Sequence, residues 1–105
     1  MDDYWLEKFK KEALPKTIEE FHPKRIILFG SRIKGEAREE SDLDVIVVAE
    51  TFRGIPFLRR MPLVVRKSKF PKHVDYICYF PEEFDRVKKT SSVVMDALEN
   101  SIELV

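Results

Sequence analysis

Apolar side chains recur at Trp5, Leu6, Phe9, Ala13, Leu14, Ile18 and Phe21. That spacing of three and four predicts a helix over 2–21 with one buried stripe. Pro15 lies inside it and predicts either a kink or the start of a second short helix. His22-Pro23 closes the segment. The pattern then shortens. "RIILF" at 25–29 is an apolar run between turn signals and predicts a buried strand. "DLDVIVV" at 42–48 predicts a second strand, rich in β-branched residues, and "VDYICYF" at 74–80 a third. Between these two, "PFLRRMPLVVRK" at 56–67 reads as helical in part, interrupted by Pro62. Pro81 and its acidic neighbours open a helix over "PEEFDRVKK". A further helix covers "SSVVMDALEN", capped by Ser91 or Ser92, with Val94, Ala97 and Leu98 on one face. "IELV" at 102–105 predicts a short edge strand. Strands alternating with helices predict an α/β or α+β fold, a small mixed sheet with flanking helices.

Composition narrows the class. At 105 residues the expectation is one domain, 1–105, with a modest core and no second substrate-binding lobe. Hydrophobic residues make up 44%, which indicates a globular chain. Lys+Arg and Asp+Glu both number 19, so net charge gives no general case for nucleic acid or a membrane surface. The single cysteine, Cys78, excludes an internal disulfide and suits a reducing cytoplasm. Inside "YICYF" it reads as a small core residue. No run approaches about 18 continuous apolar residues, and "MDDYWLEKFKKE" is unlike a secretion signal. A cytoplasmic location is therefore expected.

The candidate chemistry sits in "LFGSRIKGEAREESDLDV" at 28–45, which holds two of the three glycines, Gly30 and Gly35. Gly30 follows a strand and precedes a short helical stretch, where free backbone N–H groups suit a phosphate. Ser31 adds a hydroxyl, and Arg32 could reach phosphate or a nearby acid. The spacing Gly30 to Gly35 is that of a phosphate-binding P-loop, but Glu36 and Ala37 stand where Lys and Ser/Thr are required, so that motif is rejected. A plain tight turn with Ser31 as helix cap is the other reading. Asp42 and Asp44 share one strand face, roughly 7 Å apart, and can converge on a hard cation. The alternative is a loop end, with Asp44 paired to a lysine. Asp75, near the start of the third strand, either completes a two-metal carboxylate set or is a solvated strand-end acid. His22 and His73 match no zinc spacing. His73 reads as a surface residue, or as one lining the site two positions before Asp75. Arg59-Arg60 and "RKSKFPK" at 66–72 form a basic patch, read as solvated surface or as a receiver for a triphosphate tail or acidic partner. Tyr4, Trp5 and Phe9 are expected to pack the first helix on the sheet, or to meet a partner.

"LFGSRIKGEAREESDLDVIVV" resembles the minimal nucleotidyltransferases of the DNA polymerase beta-like superfamily. Their signature is Gly-Ser, ten residues, then Asp-x-Asp. Here Gly30-Ser31 is followed by residues 32–41 and then Asp42-Leu43-Asp44. The resemblance covers most of the chain and implies the polymerase beta-like fold. It implies that Gly30, Ser31 and Arg32 bind nucleotide, that Asp42, Asp44 and Asp75 are catalytic Mg²⁺ ligands for two ions, and that ATP is substrate. Asp75 would act on the acceptor hydroxyl. Small members of the group pair with HEPN-domain toxins and neutralise them by attaching AMP to a tyrosine, which implies an antitoxin role for this chain. A binding module that neutralises its partner by contact alone is the alternative. Both homo- and hetero-oligomers are compatible with these expectations.

Overall fold

The computed structural model describes residues 3–105, so Asp2, the first residue of the expected opening helix, lies outside it. The opening helix is three joined pieces: α1 (Tyr4–Lys8), a π-helical turn (Phe9–Ala13) and α2 (Leu14–Phe21). Asp3 caps α1, its carboxylate accepting from the Trp5 and Leu6 N–H groups. Pro15 explains the π-turn. It has no N–H to donate and its ring would crowd a regular turn, so the helix widens one turn earlier, and the Leu14 N–H donates to Phe9 O. Of the two expectations for Pro15, the second holds with a shift of one residue: α2 begins at Leu14, with Pro15 in its first turn. His22 ends α2 in the left-handed region, at φ 45°.

Among the described residues four strands form one mixed sheet, β1 (Arg25–Phe29), β2 (Leu43–Val48), β3 (Val74–Tyr79) and β4 (Ile102–Glu103), in the order β3-β2-β1-β4. β1 runs antiparallel to β2 and β4, while β2 and β3 run parallel. The remaining helices are α3 (Ser31–Lys34), α4 (Phe57–Ser68), α5 (Pro81–Thr90) and α6 (Ser92–Glu99), with a 3-10 turn at Glu50–Phe52. α4 is one continuous helix through Pro62, not an interrupted one. Pro62 sits on its exposed side, where water can satisfy the carbonyl that a proline leaves unbonded. Ser91 is the cap of α6, its Oγ accepting from the Val94 N–H.

The sheet buries both faces. On one, Ile26, Leu28, Leu43, Val45, Val47, Tyr76 and Cys78 meet Phe9, Ala13 and Phe21 of the opening helix and Val64 of α4. On the other, Ile27, Ile46 and Val48 meet Phe84 of α5 and Val94 of α6. Alternation along each strand produces this two-sided core. Full burial of each large side chain is worth about 1.5–3 kcal/mol. Phe9 packs on the sheet as expected, against Tyr76 of β3, while Trp5 is half-buried against Phe70 and Tyr4 is 67% exposed. Cys78 is buried, and burial pushes its thiol up to about 12. No helix among the described residues is long and apolar enough to cross a membrane.

The basic patch divides. Arg60 is buried: Nε donates to Ile55 O, and Nη1 donates to Cys78 O and to Glu83 Oε1 at 2.6 Å. Arg59 stays exposed, and Lys72 lies over the Trp5 ring.

Candidate active site

Strand direction assembles the site. Because β1 opposes β2 and β2 parallels β3, the end of β1 meets the starts of β2 and β3 at one rim of the sheet. The register is direct: Phe29 pairs with Asp44, and Asp44 pairs with Asp75. Side chains of residues paired in this way point to the same side of a sheet. Asp44 and Asp75 therefore share the face of Ile46 and Ile77, beyond the area that α5 and α6 cover. Asp42 stands one residue before β2 and is exposed, so the second strand starts one position later than expected. Register thus brings Asp75 beside Asp44, while Asp42, outside the strand, approaches Asp75 from the end of the loop.

Gly30 is required by Asp44. It adopts φ 88°, ψ −163°, a region essentially reserved for glycine. A Cβ there would stand 2.2 Å from Asp44 Oδ2 and 3.0 Å from its Cγ. Backbone and carboxylate thus pack directly against each other. Gly30 is also the cap position of α3, and Ser31 is its first helical residue, making no side-chain cap bond. The reading of Ser31 as a helix cap is therefore set aside. The Ile33 and Lys34 N–H groups both donate to Gly30 O, so the Ser31 and Arg32 N–H groups are the ones at the start of α3 that no preceding helical carbonyl can meet.

Electrostatics single out Asp44. Burial pushes its carboxyl above the usual aspartate range, the neighbouring charges of Asp75 and Asp42 push it further, and His73 pulls it back. No lysine is among the groups acting on it, which removes the lysine-pair alternative. The site carries negative charge that the protein itself leaves poorly compensated. Hard oxygen donors, converging and repelling one another, fit a divalent cation such as Mg²⁺. One ligand atom each from Asp42, His73 and Asp75 lie within 4.8 Å of one another.

Arg32 is turned elsewhere. Its guanidinium is buried, with Nη1 donating to both Asp3 carboxylate oxygens at 3.0 and 2.9 Å. Nε and Nη2 donate to Ser41 O, and Nη2 also to Arg38 O and Glu39 O. All these partners belong to the chain: the guanidinium anchors the loop 35–41 that delivers Asp42, and of the two expectations for Arg32 the pairing with a nearby acid is the one these bonds describe. A hollow of about 360 Å³ lies beside this loop, lined by Trp5, Arg32, Gly35, Arg38 and Glu39 among others, and contains none of the three acids. Of the acids themselves, Asp42 is exposed and Asp44 and Asp75 are half-buried. The group that sequence reasoning left at the margin is His73, whose Nε2 lies 2.9 Å from Asp75 Oδ1. Its position two residues before Asp75 at a strand start was the available signal, since such residues share a face.

Residues 6–104 match the family model for the nucleotidyltransferase domain. Among solved structures, a candidate nucleotidyltransferase from Sulfolobus solfataricus aligns over 98% of this chain and 87% of its own, with a TM-score of 0.64 and 24% identity. BolA1 from Arabidopsis thaliana aligns over 78% of this chain and 98% of its own, with a TM-score of 0.56 and 17% identity. Both likenesses speak to the fold alone. No curated protein matches.

Proposed function

This chain belongs to the nucleotidyltransferase domain family, and from that premise we propose that it transfers AMP from ATP to a hydroxyl group of a partner protein. The observation carrying this reading is the line Gly30–Asp44–Asp75 across three segments, with Asp42 beside it. Asp42, Asp44 and Asp75 are the residues that would hold Mg²⁺, which when bound supplies charge neutralisation at the phosphates. Gly30 and Ser31 offer backbone N–H groups and a hydroxyl to the triphosphate. Asp75 is the outermost acid, on the edge strand β3, and accepts the proton of the acceptor hydroxyl. That oxygen bonds to the α-phosphorus as the bond to the β-phosphate oxygen breaks, and pyrophosphate leaves. Arg32 keeps Ser41, and with it Asp42, in place.

The finer reading is a minimal nucleotidyltransferase whose acceptor is a tyrosine of a HEPN-domain toxin, supported by the likeness of residues 28–48 to that group. ATP labelled at the α-phosphate, Mg²⁺ and the neighbouring gene's product test it. Label is expected on a tyrosine of the partner, while γ-label stays off. Asp44→Asn should abolish transfer with the complex intact. Neutralisation that survives Asp44→Asn would overturn the chemical reading in favour of contact alone.

A further inference from the structure

Among the described residues His73 is the one imidazole at the acidic rim, and it stands directly before β3. One of its ring nitrogens, one Asp42 oxygen and one Asp75 oxygen fall within 4.8 Å of one another, close enough for a single ion to touch all three. His73 and Asp75 are about half exposed, at 55% and 47% of their side chains, so the ring can turn onto an ion without disturbing the core. The donor set is thus two oxygens and one nitrogen. Mg²⁺ selects oxygen ligands and water. Imidazole favours first-row transition dications.

We propose that His73 is a metal ligand in this chain, converting one ion position into a mixed Asp42–His73–Asp75 set that prefers a transition dication over Mg²⁺. The inference rests on the proposed function only in taking the acids as ion ligands. Asp44 lies outside the triad. It is set against Gly30 and half-buried, and keeps the place it has in the proposed function.

The test uses the full chain with Mn²⁺ alone. Continuous-wave electron paramagnetic resonance measures free Mn²⁺, Mg²⁺ competition gives the preference, and pulsed measurements read coupling to a directly bound imidazole nitrogen. Wild type should show that coupling. His73→Ala and His73→Gln should lose it and bind Mn²⁺ about tenfold more weakly or worse, with Mg²⁺ affinity changing less than about threefold. Circular dichroism melting verifies that these exposed-site variants stay folded. Bound Mn²⁺ without nitrogen coupling, or unchanged Mn²⁺ affinity in both variants, overturns the proposal and leaves His73 as a hydrogen-bond partner of Asp75, with the proposed function standing. Mn²⁺ binding that is absent, or indifferent to Asp42→Asn and Asp75→Asn, overturns this inference and the carboxylate reading together.

Discussion

Gly30→Ala probes the contact on which the site is built. The substitution acts twice. The backbone at φ 88°, ψ −163° costs a residue with a Cβ on the order of 1–3 kcal/mol. The new Cβ also meets Asp44 Oδ2 at 2.2 Å and Cγ at 3.0 Å, with Asp44 Cβ at 3.3 Å. Oδ2 is the free end of a side chain, so the carboxylate swings away at a rotamer cost of about 0.5–1.5 kcal/mol. The sum is about 1.5–4.5 kcal/mol of lost stability. Asp44→Ala removes Oδ2 and Cγ and leaves only the 3.3 Å contact. In that background Gly30→Ala should cost the backbone part alone. Urea unfolding of the four proteins gives a double-mutant cycle, with an expected coupling of about 0.5–1.5 kcal/mol. Nucleotide transfer by Gly30→Ala should fall to the level of Asp44→Ala, because the carboxylate has left its place. A Gly30→Ala protein with wild-type stability and transfer, or a cycle with no coupling, refutes the reasoning.

Arg32→Ala removes donors from the Ser41, Arg38 and Glu39 carbonyls and strips the Asp3 carboxylate of its partner; a loss of about 3–5 kcal/mol is expected, and Arg32→Lys should recover only part because it lacks the planar fork. A urea midpoint shift worth less than about 1 kcal/mol would contradict the anchoring role. Burial raises the Asp3 carboxyl, but hydrogen bonds from Arg32 and from the Leu6 and Trp5 N–H groups outweigh it and hold the group below its ordinary range. A lowered folded value means that Asp3 stabilises fully above about pH 4 and loses that contribution as pH falls through the folded value. Wild type and Asp3→Asn should therefore differ most near neutral pH and converge in strong acid, and parallel urea midpoints across the range would refute this. Asp44→Asn removes one of two like charges paired across β2 and β3 and should raise the urea midpoint by about 0.2–1 kcal/mol while abolishing transfer; a loss of stability would contradict the crowding described. Cys78, buried and raised to about 12, should react with a thiol reagent only at the rate of unfolding, and rapid native labelling would show the β3 core to be open.

Much of this protein is legible locally. Short apolar runs bounded by His22-Pro23, Gly30 and Pro81 mark the strands, because period and turn chemistry act over a few residues. Helix caps are equally local, and Ser91 performs as its side chain dictates. The proximity of Gly30, Asp42 and Asp44 follows from a loop of limited length. Other features depended on partners far along the chain. Pro62 alone argues against a continuous helix, yet packing of Arg60, Val64 and Ser68 keeps α4 intact, since burial outweighs one lost backbone bond. Arg32 looks like a phosphate ligand beside Gly30, but Asp3, 29 residues earlier, captures it. His73 and Asp75 join the site only because β3 lies parallel to β2 in direct register. Residue type determined what each group can do chemically; strand order and register decided which groups share one charge field, because electrostatic and ligand contacts depend on distance in space, which separation along the chain does not specify.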